Sequence, residues 1–144
     1  MRKTHSAFTL IEVLIVVVIL AVLAATVIPQ FTDSTTDAKA SSVKFNLHTL
    51  RSQIQLYRTH HDGDVPSSNL SELTIATNVS GGTTGDTPFG PYLMKLPVNS
   101  FTNSDSIITV TADPALSDVT TTDGWIYNTN NGEIWISHKD YYTD

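Results

Sequence analysis

Hydrophobic and polar positions follow three different rules along the chain. From Val13 to Ile28 every residue is apolar except Thr26. Taken from Phe8, the apolar stretch is 21 residues long. At about 1.5 Å rise per residue that is a helix of roughly 30 Å, the thickness of one hydrocarbon core. Beyond Pro29 the pattern becomes periodic. Val43, Leu47, Leu50, Ile54 and Tyr57 recur at spacings of four, three, four and three, which predicts an amphipathic helix with one apolar stripe. Phe45 and Leu56 broaden the stripe, while Lys44, Arg51, Gln55 and Arg58 lie mostly off it. Two heptads are too few for a coiled-coil seam, so the stripe is expected to pack on the chain's own globular domain. Pro29 is expected to kink the helix without ending it. Between the two regimes, Thr32-Asp33-Ser34-Thr35-Thr36-Asp37 is full of N-capping and β-branched residues, so a frayed stretch or a fresh helix start is expected there.

After His60 periodicity gives way to turn signals. Asn69 with Glu72 three residues later predicts a capped short helix around Leu70 to Ile75. Gly81-Gly82 through Gly90-Pro91 reads as a loop. Strands are predicted at Ser106–Thr111, Gly124–Asn128 and Glu133–Ser137, the last two flanking Thr129-Asn130-Asn131-Gly132. Its Asn-Gly suits a tight hairpin turn with positive φ. The fold class is therefore α+β: a long N-terminal helix, half apolar and half amphipathic, packed on a small antiparallel sheet. The expected divisions are residues 1–7, 8–28, 29–60 and a globular domain over 61–144.

Composition narrows the function. The formal net charge is -6, and the bases are scattered, so no basic face tracks nucleic-acid phosphates. There is no cysteine, which rules out disulfides and thiolate metal sites. Arg2 and Lys3 precede the apolar run. They fit a secretory signal, but the run exceeds the 7–15 residues such a signal uses, despite small residues at Ala21, Ala24 and Ala25. A single-pass anchor fits better, with the basic end in the cytoplasm and the body outside. Glu12 does not suit a plain anchor, because an acid within lipid is costly and needs a partner.

Met1 to Ala7 followed by Phe8-Thr9-Leu10-Ile11-Glu12-Val13 resembles the cleavage region of type IV pilins and type II secretion pseudopilins. The resemblance implies that a leader ending at Ala7 is removed by a prepilin peptidase and that the new N-terminal Phe8 is N-methylated. It also implies that Glu12 guides assembly and that Pro29 marks the outer end of the anchor. The family usually has Gly before the cut, where this chain has Ala7. Gly124-Trp125-Ile126-Tyr127 with Gly132-Glu133-Ile134 is similar to the terminal hairpin of pilin-like proteins, and Leu96-Pro97-Val98-Asn99 to a loop before it. Many type IV pilins carry a disulfide in this region, so its absence favours a pseudopilin. The implied role is a non-enzymatic filament subunit, in a secretion system first, in a type IV pilus or DNA-uptake system as the alternative. Its implied partners are copies of itself, other pilin-like subunits, the peptidase, an inner-membrane assembly platform and lipid.

Other chemistry is thin. His60 and His61 are adjacent, hence about 100° apart on a helix with no third zinc ligand spaced for them; they read as a polar helix end favourable to its dipole. Asp105, Asp113, Asp118 and Asp123 sit in Ser/Thr-rich loops. The family resemblance raises a calcium site in this region, but no EF-hand spacing is present and solvated loop acids are the plainer reading. No cofactor is called for. No nucleophile elbow, phosphate loop or His-Glu-x-x-His occurs, leaving an anchored hydrolase or binding domain as the rival class.

Overall fold

The computed structural model describes residues 8–144; residues 1–7, the expected leader with Arg2, Lys3 and Ala7, lie outside them. One helix, α1 (Leu10–His60), is followed by β1 (Ile107–Val110), β2 (Trp125–Asn128) and β3 (Ile134–Ile136), with 3₁₀ turns at Ser71–Leu73 and Leu116–Asp118. The chain divides into two compact units between Ala38 and Lys39.

In the first unit α1 is helical throughout, Pro29 included. The expected break at 32–37 does not occur. The hydroxyls that ought to compete with the helix bond back to it: Thr32 Oγ1 donates to Ile28 O (3.2 Å), Ser34 Oγ to Gln30 O (2.9 Å), and Thr35 and Thr36 Oγ1 to Thr32 O (2.8 and 3.1 Å). Each polar side chain is thereby satisfied on the helix surface without displacing the backbone ladder.

The second unit holds the core. Val43, Leu47, Leu50, Ile54 and Tyr57 are the buried residues of α1, as the periodicity predicts. Phe45 and Leu56 do not join them: they are 71% and 43% exposed, because at about 100° per residue both fall outside the contact arc. Against the stripe pack Trp125, Tyr127, Ile134 and Ile136. The register pairs Trp125 with Ile136 and Tyr127 with Ile134, so these four side chains share one sheet face.

The three predicted strands are present, but the sheet is mixed. β2 and β3 form the antiparallel hairpin, whereas β1 runs parallel to β2, Ile107 opposite Trp125 and Val110 opposite Asn128. Residues 111–124 give the chain enough length to cross over and return in the same direction. The hairpin loop closes through Asn128 N–H to Glu133 O (2.8 Å) and Gly132 N–H to Asn128 O (2.9 Å), and of its Asn-Gly only Gly132 has positive φ, 77°. A longer loop thus replaces the two-residue turn. Gly124, entering β2, admits no side chain: a Cβ there would stand 2.2 Å from Ser104 O.

Around Leu70 the expected helix shrinks to the 3₁₀ turn. Leu70 is fully buried and left-handed, with φ 53°. Glu72 caps Ser67, accepting from its backbone N–H (3.2 Å) and hydroxyl, and Asn69 Oδ1 accepts from Ser71 N–H (3.1 Å). Anchoring Leu70 in the core outweighs local capping preference.

Candidate functional site

The N-terminal motif folds as a capped helix start. Thr9 precedes the first residue of α1, and Glu12 stands three residues on, the spacing of a capping box. Glu12 Oε2 accepts from Thr9 N–H (2.8 Å) and Thr9 Oγ1 (2.6 Å), while Glu12 N–H approaches Thr9 Oγ1 at 3.4 Å. Thr9 is the partner that inspection of the motif missed, although Thr-x-x-Glu was there to be read. Glu12 Oε1 accepts no hydrogen bond among the described residues, so the carboxylate keeps room for a cation. The +0.5 partial charge at a helix N-terminus favours the acid at this place.

Phe8 is 78% exposed, and every residue from Phe8 to Lys39 is exposed within the chain. Glu12 therefore sits at the head of an apolar surface that no other described residue covers. Pro29 lies within α1. Nearby, Thr26 Oγ1 donates to Leu23 O at 2.9 Å, another hydroxyl satisfied inside the apolar run.

The remaining candidates do not converge. His61 is not a polar helix end but fully buried. Its Nδ1 lies 2.7 Å from Tyr57 O, to which it must donate, its Nε2 lies 2.9 Å from Thr77 Oγ1, and its ring stacks on Tyr57 at 3.7 Å. His60 stacks on Phe89 (4.7 Å) and meets the Tyr92 hydroxyl at 3.0 Å. Burial pushes the Tyr57 hydroxyl up to about 12, with the Glu72 charge adding to it, and burial likewise raises Tyr92, so both phenols remain protonated at neutral pH. The correction has a simple cause: adjacency in sequence showed two polar residues, and the tertiary fold laid aromatic rings over both.

Asp123 is engaged by its own loop, accepting from Ser106 Oγ and Thr120 Oγ1 at 2.8 Å each and Thr122 Oγ1 at 3.1 Å. The Thr120 hydroxyl, then that of Ser106, holds its carboxyl below the usual carboxylate range. Asp118 caps Ala115 N–H at 2.8 Å. Among the described residues no three His, Asp or Glu side chains gather as a metal set.

Two structural residues escaped the sequence reading. Asn99 is fully buried; its Nδ2 donates to Gly124 O (2.8 Å) and approaches Ser137 O (3.4 Å), and its Oδ1 accepts from Phe101 N–H (2.9 Å). With Trp125 Nε1 donating to Pro97 O (2.8 Å) and Asn46 Nδ2 to Val98 O (3.0 Å), the 96–99 loop joins α1 to the hairpin. Arg51 bonds Ile134 O through Nε (3.2 Å) and Nη2 (3.0 Å), closing the outer edge of β3.

Residues 2–28 match the prokaryotic N-terminal methylation motif. Over 102 residues, 71% of the chain and 72% of the relative, the sequence is 29% identical to the type II secretion system core protein G of Pseudomonas aeruginosa. Over 82 residues it is 33% identical to a fimbrial protein of Neisseria meningitidis, covering 56% of this chain but 48% of that relative, about half its length. No solved structure matches significantly.

Proposed function

We infer that this chain, which carries the prokaryotic N-terminal methylation motif and is homologous to a type II secretion core protein and a fimbrial protein, is a structural subunit of a pilin-like filament, specifically a pseudopilin of a type II secretion system. One observation carries the reading: α1 is apolar all round from Val13 to Ile28, Thr26 apart, and none of the described residues covers it. Such a surface is satisfied by lipid or by the like helices of neighbouring subunits. The first serves before assembly and the second afterwards.

Glu12 gives that surface its register. Cleavage between Ala7 and Phe8 by a prepilin peptidase would place an amine, N-methylated by the same enzyme, about 6 Å along the helix from Glu12. Pairing of the two charges, within a subunit or between neighbours, offsets the cost of an acid in lipid. Arg2 and Lys3 support a leader on the cytoplasmic side of the inner membrane with the body beyond Pro29 outside, and an assembly platform in that membrane draws subunits into the filament. The secretion reading is favoured by the longer match, 72% of that relative against 48% of the fimbrial one. The fimbrial likeness supports a type IV pilus or DNA-uptake filament as the alternative, with the same use of Glu12.

The test is incorporation. Glu12→Ala is expected to insert in the membrane and be processed, yet to be missing from sheared filaments, and intact mass of assembled subunits is expected to begin at methylated Phe8. Wild-type filament yield from Glu12→Ala, or assembled protein still starting at Met1, would sink the reading.

A further inference from the structure

The sheet has two edges, and the chain closes one of them. Along β3 the Arg51 side chain bonds Ile134 O through Nε and Nη2. β1 forms the other edge, and its outward backbone is open. The carbonyls of Ser106 and Val110 accept from Trp125 N–H (3.0 Å) and Thr129 N–H (3.2 Å) on the β2 side. Backbone groups alternate sides along a strand, so Ile107 and Thr109 turn their N–H and C=O groups away from β2. Among the described residues no other backbone group meets them. Edges of this kind are commonly blunted by lysine or proline. Ser106-Ile107-Ile108-Thr109-Val110-Thr111 carries neither, and no acid.

A groove of about 390 Å³ runs along this edge. Ile107 and Thr109 line it together with Ser68, Asn69 and Leu96, and Asp105 is the single formal charge in the lining. Lys95, next to Leu96 in the chain, is outside that lining, and Asp105 forms no ion pair among the described residues.

We propose that β1 and its groove receive an extended segment of a second, different polypeptide, which joins the sheet as a further strand and sets a lysine or arginine opposite Asp105. Donors and acceptors repeating every two residues of strand, about 6.7 Å, are matched by another extended backbone, which names a polypeptide as the occupant. Asp105 sets the sign of its charge, and the chain's net charge of -6 acts in the same direction. By the two-residue alternation Asp105, Ile107 and Thr109 share one face. The residue two positions from the partner's base therefore falls opposite Ile107, where Leu96 also makes the lining apolar. The pattern received is a base, any residue, then an apolar residue. A second copy does not supply this strand within a filament. Its β3 edge is occupied by Arg51, and β1 meeting β1 is a two-fold contact that closes on itself without repeating.

The probe is the peptide acetyl-Lys-Thr-Val-Thr-Lys-amide, which reads the same in both directions and so serves parallel and antiparallel addition alike. Titrated into the detergent-solubilised full chain, it is expected to give saturable amide shifts at Ile107 and Thr109. The analogue with Glu at both ends is expected to bind about tenfold more weakly, and Asp105→Asn to weaken the Lys peptide about threefold, the scale of exposed cross-strand ion pairs. Thr109→Pro deletes an N–H that points away from β2, a place where an edge strand tolerates proline, and is expected to abolish binding with Tm retained. Should that variant unfold, Asp105→Asn and the peptide exchange decide alone. Absence of saturable shifts, or equal affinity for the Lys and Glu peptides, overturns the proposal. So do shifts at Ile107 and Thr109 that grow with protein concentration without peptide, which would make a second copy the occupant. The readout is taken on the dispersed chain, so its failure leaves the filament reading standing, to be judged by Glu12→Ala.

Discussion

Residues 13–28 and 43–57 belong to one helix and both are rich in branched aliphatic side chains, but they distribute them differently. The first group is apolar on every side and exposed on every side. The second confines its burial to five residues on one stripe, and the sheet and the 70–73 segment cover that stripe. A stripe is a request for one neighbour, which the chain supplies. A full cylinder is a request for a surrounding medium, which no chain of this size supplies to itself. The same residue types therefore stabilise the fold in one half of α1 and serve association in the other.

The sharpest way to break this comparison is a matched pair of truncations. Leu50→Ala empties a fully buried site and is expected to cost about 2–5 kcal/mol of folding stability. Ile15→Ala, on the exposed cylinder, is expected to leave thermal unfolding of the detergent-solubilised chain unchanged. An equal loss of Tm from both would mean the two regions are not energetically distinct. Next in size, Asn99→Ala removes the amide that links the 96–99 loop to Gly124 and leaves the Phe101 N–H without the side-chain oxygen it bonds. It is expected to cost about 1–3 kcal/mol, measured by denaturant unfolding, with no loss of membrane insertion.

The smallest effect is a pH dependence confined to the globular unit. The folded-state pKa of Asp123 is depressed by the hydroxyls of Thr120 and Ser106. Its contribution to stability is fully present above the unfolded value of about 4 and is lost as pH falls through the lower folded value. Asp123→Asn is expected to flatten the acid limb of a Tm-against-pH curve below about pH 4; an unaltered acid limb would assign that limb to other carboxylates.

Legibility varied with the range of the interaction. The buried stripe, the three strands and the Phe8–Glu12 motif were readable because each depends on local spacing. The Thr9 cap was readable too, since it lies three residues from Glu12. The burial of His61 was not, because its cover is Thr77 and Phe89 from a loop far along the chain. Nor was Asn99, whose partners lie 25 and 38 residues away.

By itself the sequence determined which stretch cannot be satisfied within its own chain, which face of the second stretch must be covered, and where an acid sits at the head of the apolar run. Those are matters of periodicity and of the cost of placing charge in lipid. Only the tertiary structure decided that β1 runs parallel to β2, that the Asn99 amide ties its loop to Gly124, and that Arg51 ties α1 to β3. Such outcomes depend on partners brought together across long stretches of chain, and hydrophobic spacing carries no record of which distant backbone groups a side chain will meet.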